Sequence, residues 1–199
     1  MSNVLVSYFS ASGITKGVAQ RVASAINGVL FEIEPVEKYT DSDLDWTDKQ
    51  SRSSIEMNEN IKPEIKNKIS DLDKYDTVCI AFPIWWYKEP TIIDRFLEEN
   101  DMSNKRIYVF VTSGSSSIDS TYSSLKSNFP NLNFVDGKRF TGRESDEDYR
   151  NWIGWQYNRI TKNRGNYGKF TRWKRYDCCE GACYMEWRRR FCKMASWQN

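Results

Sequence analysis

Three short stretches of this 199-residue chain carry residue types from which a ligand site can be built. The first is Ser10-Ala11-Ser12-Gly13-Ile14-Thr15. Ser10, Ser12 and Thr15 offer hydroxyl donors, and Gly13 lets the backbone come close to a ligand. Free N–H groups at the start of the following helix point into this turn, and the helix dipole adds partial positive charge. The arrangement suits a phosphate monoester. Ser and Thr are also the usual N-cap residues, so the hexapeptide equally reads as a plain helix cap. The second stretch is Pro83-Ile84-Trp85-Trp86-Tyr87, closed by Lys88-Glu89-Pro90. Three consecutive aromatics either fill a gap in the core or make a platform for a flat ring, where stacking is worth roughly 1 kcal/mol beyond area burial. The third is Thr112-Ser113-Gly114-Ser115-Ser116-Ser117. Its small residues either let backbone N–H groups reach a ligand edge or form an ordinary turn before a helix.

Taken together, the three stretches supply phosphate donors, an aromatic platform and edge donors. Those parts match a mononucleotide bearing a large planar heterocycle. The aromatic wall favours a flavin over ATP. No Gly-x-x-x-x-Gly-Lys stretch is present, which argues against a nucleoside triphosphate loop, and no Gly-x-Gly-x-x-Gly stretch marks a dinucleotide site. The chain has no histidine, so nucleophilic catalysis by a Ser-His or Cys-His pair is excluded.

Bringing the three stretches together requires a particular order of elements. Val4 to Phe9 reads as a buried strand, and Val18, Ala19, Val22, Ala23 and Ile26 recur at helical spacing after it. Further strands are expected at Val29 to Ile33, Thr77 to Phe82, Arg106 to Thr112 and Leu132 to Val135. Helices are expected at Glu64 to Ile69 behind Pro63, from Pro90 through Asn100, at Ser116 to Asn128, and from a cap at Ser145 to near Gly154. Residues 36–60 are polar and carry no clear period. Alternating strands and helices predict an α/β fold: a doubly wound, five-stranded parallel sheet with helices on both faces. Ligands of such sheets bind beyond the carboxyl ends of the strands, at the switch in strand order. The three stretches follow strands one, three and four.

On these residues the chain resembles the flavodoxins, of the short bacterial flavodoxin-like kind. Ser10 to Thr15 matches the phosphate loop, Pro83 to Tyr87 the loop lining the flavin ring, and Thr112-Ser113-Gly114 the second flavin loop. Asp45-Trp46, with Ser51-Arg52-Ser53-Ser54 and Glu56, resembles a further stretch of this subgroup. The resemblance covers about residues 1–154. It implies strand order 2-1-3-4-5 and non-covalent FMN used as a one- or two-electron carrier. The residues it assigns to FMN are Ser10, Ser12, Gly13, Ile14, Thr15, Pro83, Ile84, Trp85, Trp86, Tyr87, Thr112, Ser113 and Gly114. Residues 45–56 read either as a flap over the flavin, with Arg52 and Glu56 towards a substrate or partner, or as a solvated loop.

Charge divides the chain. Residues 155–199 carry 11 Lys and Arg against 3 Asp and Glu, and residues 1–154 carry 18 against 24, a net of −6. An acidic body of this kind suits electrostatic steering to basic redox partner proteins. The basic tail holds Cys178, Cys179, Cys183 and Cys192, whose spacing matches no standard zinc or iron–sulfur motif. Its basic and aromatic content raises a nucleic-acid or membrane-surface role, but neither amphipathic period nor motif supports one, so neither is expected. The tail reads as no evolved domain. Purine-rich coding DNA in a shifted frame yields such Arg, Trp, Cys and Gly codons, which points to a frameshift or read-through near residues 153–158. With one body cysteine, Cys79, and no leader or apolar span, the expected location is the cytoplasm. The expected function is electron transfer by an FMN flavoprotein, with an NAD(P)H- or quinone-dependent oxidoreductase as the alternative.

Overall fold

The apolar runs form five parallel strands, β1 (Val4–Tyr8), β2 (Val29–Glu32), β3 (Thr77–Pro83), β4 (Arg106–Thr112) and β5 (Asn133–Phe140). The computed structural model describes residues 4–151. The strands are ordered β2-β1-β3-β4-β5, as the resemblance implied. In register, Leu5 pairs with Val29 and Val78, Ile80 with Val109, and Thr112 with Phe140. The switch in order falls between β1 and β3, whose carboxyl ends carry the first two loops.

Successive strand residues point to opposite faces, and each face has its own core. On one face Leu5, Val78, Ile80, Ile107 and Val109 pack with Ile92, Ile93, Phe96 and Leu97 of α3 (Thr91–Glu99) and with Leu125 of α4 (Asp119–Asn128). On the other, Val4, Val6, Cys79, Ala81 and Tyr108 pack with Val18, Ala19, Val22 and Ile26 of α1 (Ile14–Ile26) and with Tyr149. Both faces are covered, so the inner strands read as unbroken apolar runs. Tyr149 belongs to a helix over residues 146–151 that opens on a reciprocal cap. There Ser145 Oγ accepts from the Asp148 N–H, and the Asp148 carboxylate accepts from the Ser145 N–H.

Four expectations need correction. Residues 64–69 form no helix. Instead Pro35 and Ile65 bridge antiparallel, Val36 N–H donates to Glu64 O, and Lys66 N–H donates to Glu34 O. The chain after β2 thus finds an extended partner, which outweighs a short helix of marginal stability. Within the polar run 36–60 stands a helix, α2 (Arg52–Glu59), capped by Ser51. The fourth helix starts at Asp119 rather than Ser116, because residues 113–117 turn on their own hydroxyls. The last strand extends to Phe140. Its outer residues, Asp136, Lys138 and Arg139, are only half-buried at a sheet edge and so show no apolar run. Gly137 suits this crowded strand, since a Cβ there would lie 2.8 Å from the tip of the Ile118 side chain and 3.0 Å from Val109 O.

Candidate functional site

The loops after β1 and β3 meet at the switch point around a cavity of about 460 Å³. Its walls are Ala11 and Ser12 from the first loop and Pro83, Ile84, Trp85, Trp86 and Tyr87 from the second. Ser116 reaches it from the third loop, and Leu44, Trp46 and Ser53 come from the polar run. This volume lies within the range of pockets that hold a ligand of drug size.

At one end the first loop delivers a helix start with no side-chain cap. The first intrahelical bond runs from Gly17 N–H to Gly13 O, so the N–H groups of residues 14–16 precede it. Gly13 has φ +86°, a left-handed turn that an L side chain rarely adopts, and no atom lies within 4 Å of where a Cβ would stand. Ser10 Oγ is buried without a hydrogen-bond partner among the described residues. A buried hydroxyl without a partner costs free energy, which an anion seated on this turn would recover. Ile14 is exposed beside the turn. Thr15 faces the interior, where its hydroxyl meets that of Thr112 at 2.7 Å.

The second loop makes a two-residue hairpin in which Trp85 and Lys88 exchange both backbone hydrogen bonds, at 3.0 and 2.9 Å. Trp86 and Tyr87 occupy its two central positions with φ of +45° and +65°. A turn with positive φ at both central residues ordinarily takes Asn-Gly. Large aromatics there are strained, by about 1–2 kcal/mol each. Thr121 Oγ1 anchors the turn by donating to Tyr87 O. The result presents Trp86, 40% exposed, and Tyr87, 67% exposed, at the cavity mouth. Trp85 behaves differently. Its ring meets Phe9 and Tyr39 edge-on, with centroids 5.6 and 5.4 Å apart, so it is both core and cavity wall.

The third loop is turned mostly towards the protein. Ser113 N–H donates to Phe140 O, Ser113 Oγ donates to Ser116 O, and Arg139 donates to the Gly114 carbonyl at 3.2 Å. Of Thr112, Ser113 and Gly114, none lines the cavity, and Ser116 takes their place.

The stretch around Arg52 is no solvated loop. Ser51, Ser53, Ser54 and Glu56 are all buried. Glu56 accepts from Arg52 Nε at 2.7 Å and from the Tyr39 hydroxyl at 2.5 Å, while the Arg52 guanidinium lies 4.3 Å above the Tyr39 ring. Burial and the adjacent Glu56 carboxylate push the Tyr39 phenol far above its ordinary pKa, so it stays a donor. Arg52 and Glu56 thus brace α2 and do not face the cavity. Leu44 and Ser53, which do, lie in a segment without hydrophobic period; the sequence signals beside them are Asp45-Trp46 and the Ser-Arg-Ser-Ser run.

Cys79 is buried, and burial pushes its thiol up to about 12, which leaves it unreactive. Among the described residues no group of three or more His, Cys, Asp or Glu is placed to hold a metal ion. Cys178, Cys179, Cys183 and Cys192, and the reading of residues 155–199 as no evolved domain, lie outside the described residues. No described helix is long and apolar enough to cross a membrane.

The uncapped turn and the aromatic cavity stand at the switch point of a doubly wound α/β sheet, where the ligands of such folds bind. The sequence profile of the flavodoxin family matches residues 3–156, and the chain belongs to that family. A candidate flavoprotein of Bacteroides eggerthii is 40% identical, with a TM-score of 0.73, over 78% of this chain and 98% of that one. A second, from Bacteroides uniformis, is 44% identical, also with a TM-score of 0.73, over 77% of this chain and 98% of that one. A Lactobacillus acidophilus flavoprotein solved in complex with FMN is 24% identical over 77% of this chain and 99% of its own, with a TM-score of 0.62. At that identity the likeness shows the shared fold. No curated protein sequence matches the chain significantly.

Proposed function

We propose that this protein binds FMN in the switch-point cavity and serves as a cytoplasmic electron-transfer flavoprotein. The observation that carries the reading is the uncapped start of α1, with the unpartnered Ser10 hydroxyl, at one end of an aromatic cavity of about 460 Å³. Ser10, Ser12, Gly13 and the N–H groups of Ile14 and Thr15 would hold the phosphate. Pro83, Ile84, Trp85, Trp86 and Tyr87 would hold the ring. Bound there, FMN supplies one- or two-electron transfer. The chain's own part is to bind, orient and tune. An apolar aromatic wall and an acidic body disfavour negative charge on a bound ring. The exposed Trp46, Trp86 and Tyr87 at the mouth offer a docking rim, and the −6 body suits basic redox partners.

One observation favours a second reading, an NAD(P)H- or quinone-dependent oxidoreductase. Leu44, Trp46 and Ser53 add a wall that the three sheet loops do not provide, as a second flat substrate would need. Titrating the full chain into FMN tests the first reading: quenched flavin fluorescence is expected, and unquenched fluorescence with folded protein overturns it. Steady-state turnover with NAD(P)H and a quinone would move the assignment to the second.

A further inference from the structure

We infer that Ser53 is a ligand-contacting residue whose hydroxyl hydrogen-bonds the polar edge of the planar ring in the cavity. The inference rests on the FMN reading above and adds a contact from α2, outside the three sheet loops.

The Ser-Arg-Ser-Ser run contains three serines, all buried. Two are engaged within the protein. Ser51 Oγ donates to Ser54 Oγ at 2.9 Å and accepts from Ser54 N–H, and Ser54 Oγ donates to Asp48 O at 2.7 Å. Ser53, only 2% exposed, is the exception: its Oγ has no hydrogen-bond partner among the described residues, and the residue lines the cavity. A hydroxyl can donate once and accept twice, and leaving it buried and unpaired is unfavourable. Its position is fixed without any ligand. Ser53 N–H donates to Asp43 O at 3.0 Å, and its neighbour Arg52 is held by Glu56 and by the Glu37 carbonyl. The cavity that Ser53 lines is walled mainly by apolar and aromatic residues, Leu44, Ile84, Trp85 and Trp86 among them, with Ser12 from the turn before α1 and Ser116 from the third loop. The unpartnered Ser10 hydroxyl, by contrast, belongs to the turn before α1 and is not among the cavity walls. Ser53 therefore meets the flat part of a mononucleotide and Ser10 the phosphate.

The test compares FMN with riboflavin, which lacks the phosphate, by fluorescence titration of the full chain and of Ser53→Ala and Ser10→Ala. Ser53→Ala is expected to weaken both ligands by the same factor, about tenfold. Ser10→Ala is expected to weaken FMN and leave riboflavin unchanged. In the ligand-free melt, Ser53→Ala should match or exceed the parent, since it removes an unpaired buried hydroxyl, whereas Ser54→Ala, which loses bonds within the protein, should melt lower. Parent-like affinity of Ser53→Ala for both ligands overturns the inference and leaves the FMN reading standing. A loss confined to FMN assigns the hydroxyl to the phosphate and overturns it too. A lowered ligand-free melt for Ser53→Ala does the same by showing a structural bond. If the parent binds neither ligand, the FMN reading fails and the contact falls with it.

Discussion

Thr15 Oγ1 and Thr112 Oγ1 lie 2.7 Å apart in the interior, joining the first turn of α1 to the last residue of β4 across 97 positions of sequence. The resemblance assigns both residues to FMN, and here their hydroxyls bond to each other. The bond ties the phosphate-type turn to the sheet at the strand whose carbonyl, Thr112 O, also accepts from Ile84 N–H of the aromatic loop. Two of the three loops are thus fastened to one residue.

Removing either hydroxyl leaves the other buried and unpaired. Thr15→Val and Thr112→Val are each expected to destabilise the fold by about 1–3 kcal/mol. The double variant should be less destabilised than the sum, since neither hydroxyl is then orphaned. Urea denaturation of the four proteins measures the coupling. Strict additivity would show that the hydroxyls do not interact.

The strained turn makes a different prediction, one in which stability and binding move in opposite directions. Replacing Trp86 and Tyr87 by Asn and Gly gives the turn the residues its positive φ angles favour. Stability should rise by about 2–4 kcal/mol, the strain of the two residues together. FMN affinity should fall tenfold or more, as for Trp86→Ala alone, because the rings at the cavity mouth are gone. Chemical denaturation and fluorescence titration check the two halves. Strain retained where a smaller residue would relax it is the pattern expected of a functional site.

How far these features could be read from sequence depends on what each residue packs against. β1, β3 and β4 announce themselves because both their faces are buried, and an unbroken apolar run has few other uses. The helix at residues 52–59 does not, because its buried face is Ser53, Ser54 and Glu56, polar residues that no hydrophobic period records, with Ser54 and Glu56 held by hydrogen bonds. The Gly/Ser loop after β4 is ambiguous for a similar reason. Its composition permits contact with a ligand, and it does not record that Phe140 O takes the Ser113 N–H or that Arg139 takes the Gly114 carbonyl. Trp85 and Trp86 are adjacent and alike in type, yet only the turn geometry separates a core ring from an exposed one.

The brace behind Ser53 can be tested without ligand. Arg52→Met leaves the buried Glu56 carboxylate with the Tyr39 hydroxyl but no cation. Because Arg52 is partly exposed, the loss should be about 2 kcal/mol, towards the lower end for a bond between charged groups. The double variant Arg52→Met with Glu56→Leu should recover part of it, since no unpaired charge remains. Thermal or urea unfolding reads both. A parent-like Arg52→Met would mean that the pair contributes nothing to holding α2.

Behind the aromatic turn, Glu89 and Asp94 form a buried acidic pair beside a second cavity. Glu89 Oε1 accepts from Ser124 and Asn128, while Glu89 Oε2 and Asp94 Oδ1 are buried with no hydrogen-bond partner among the described residues. Burial, then the neighbouring Glu89 charge, raises the Asp94 carboxyl to about 7; Lys62 opposes the shift and Glu98 adds to it. Burial raises Glu89 as well. An acid whose pKa is higher folded than unfolded binds more protons in the folded state. Its contribution to stability is complete below its unfolded value near 3.8 and is lost as pH rises to about 7. Within that window each pH unit lowers stability by about 1.4 kcal/mol from this group alone. Asp94→Asn keeps a donor for Glu89 at every pH. It should therefore be more stable than the parent at pH 8 and indistinguishable from it near pH 4, with a shallower slope between. Urea midpoints taken from pH 4 to pH 8 on both proteins decide the matter, and parallel slopes would show that Asp94 ionises at its ordinary pKa in the folded protein.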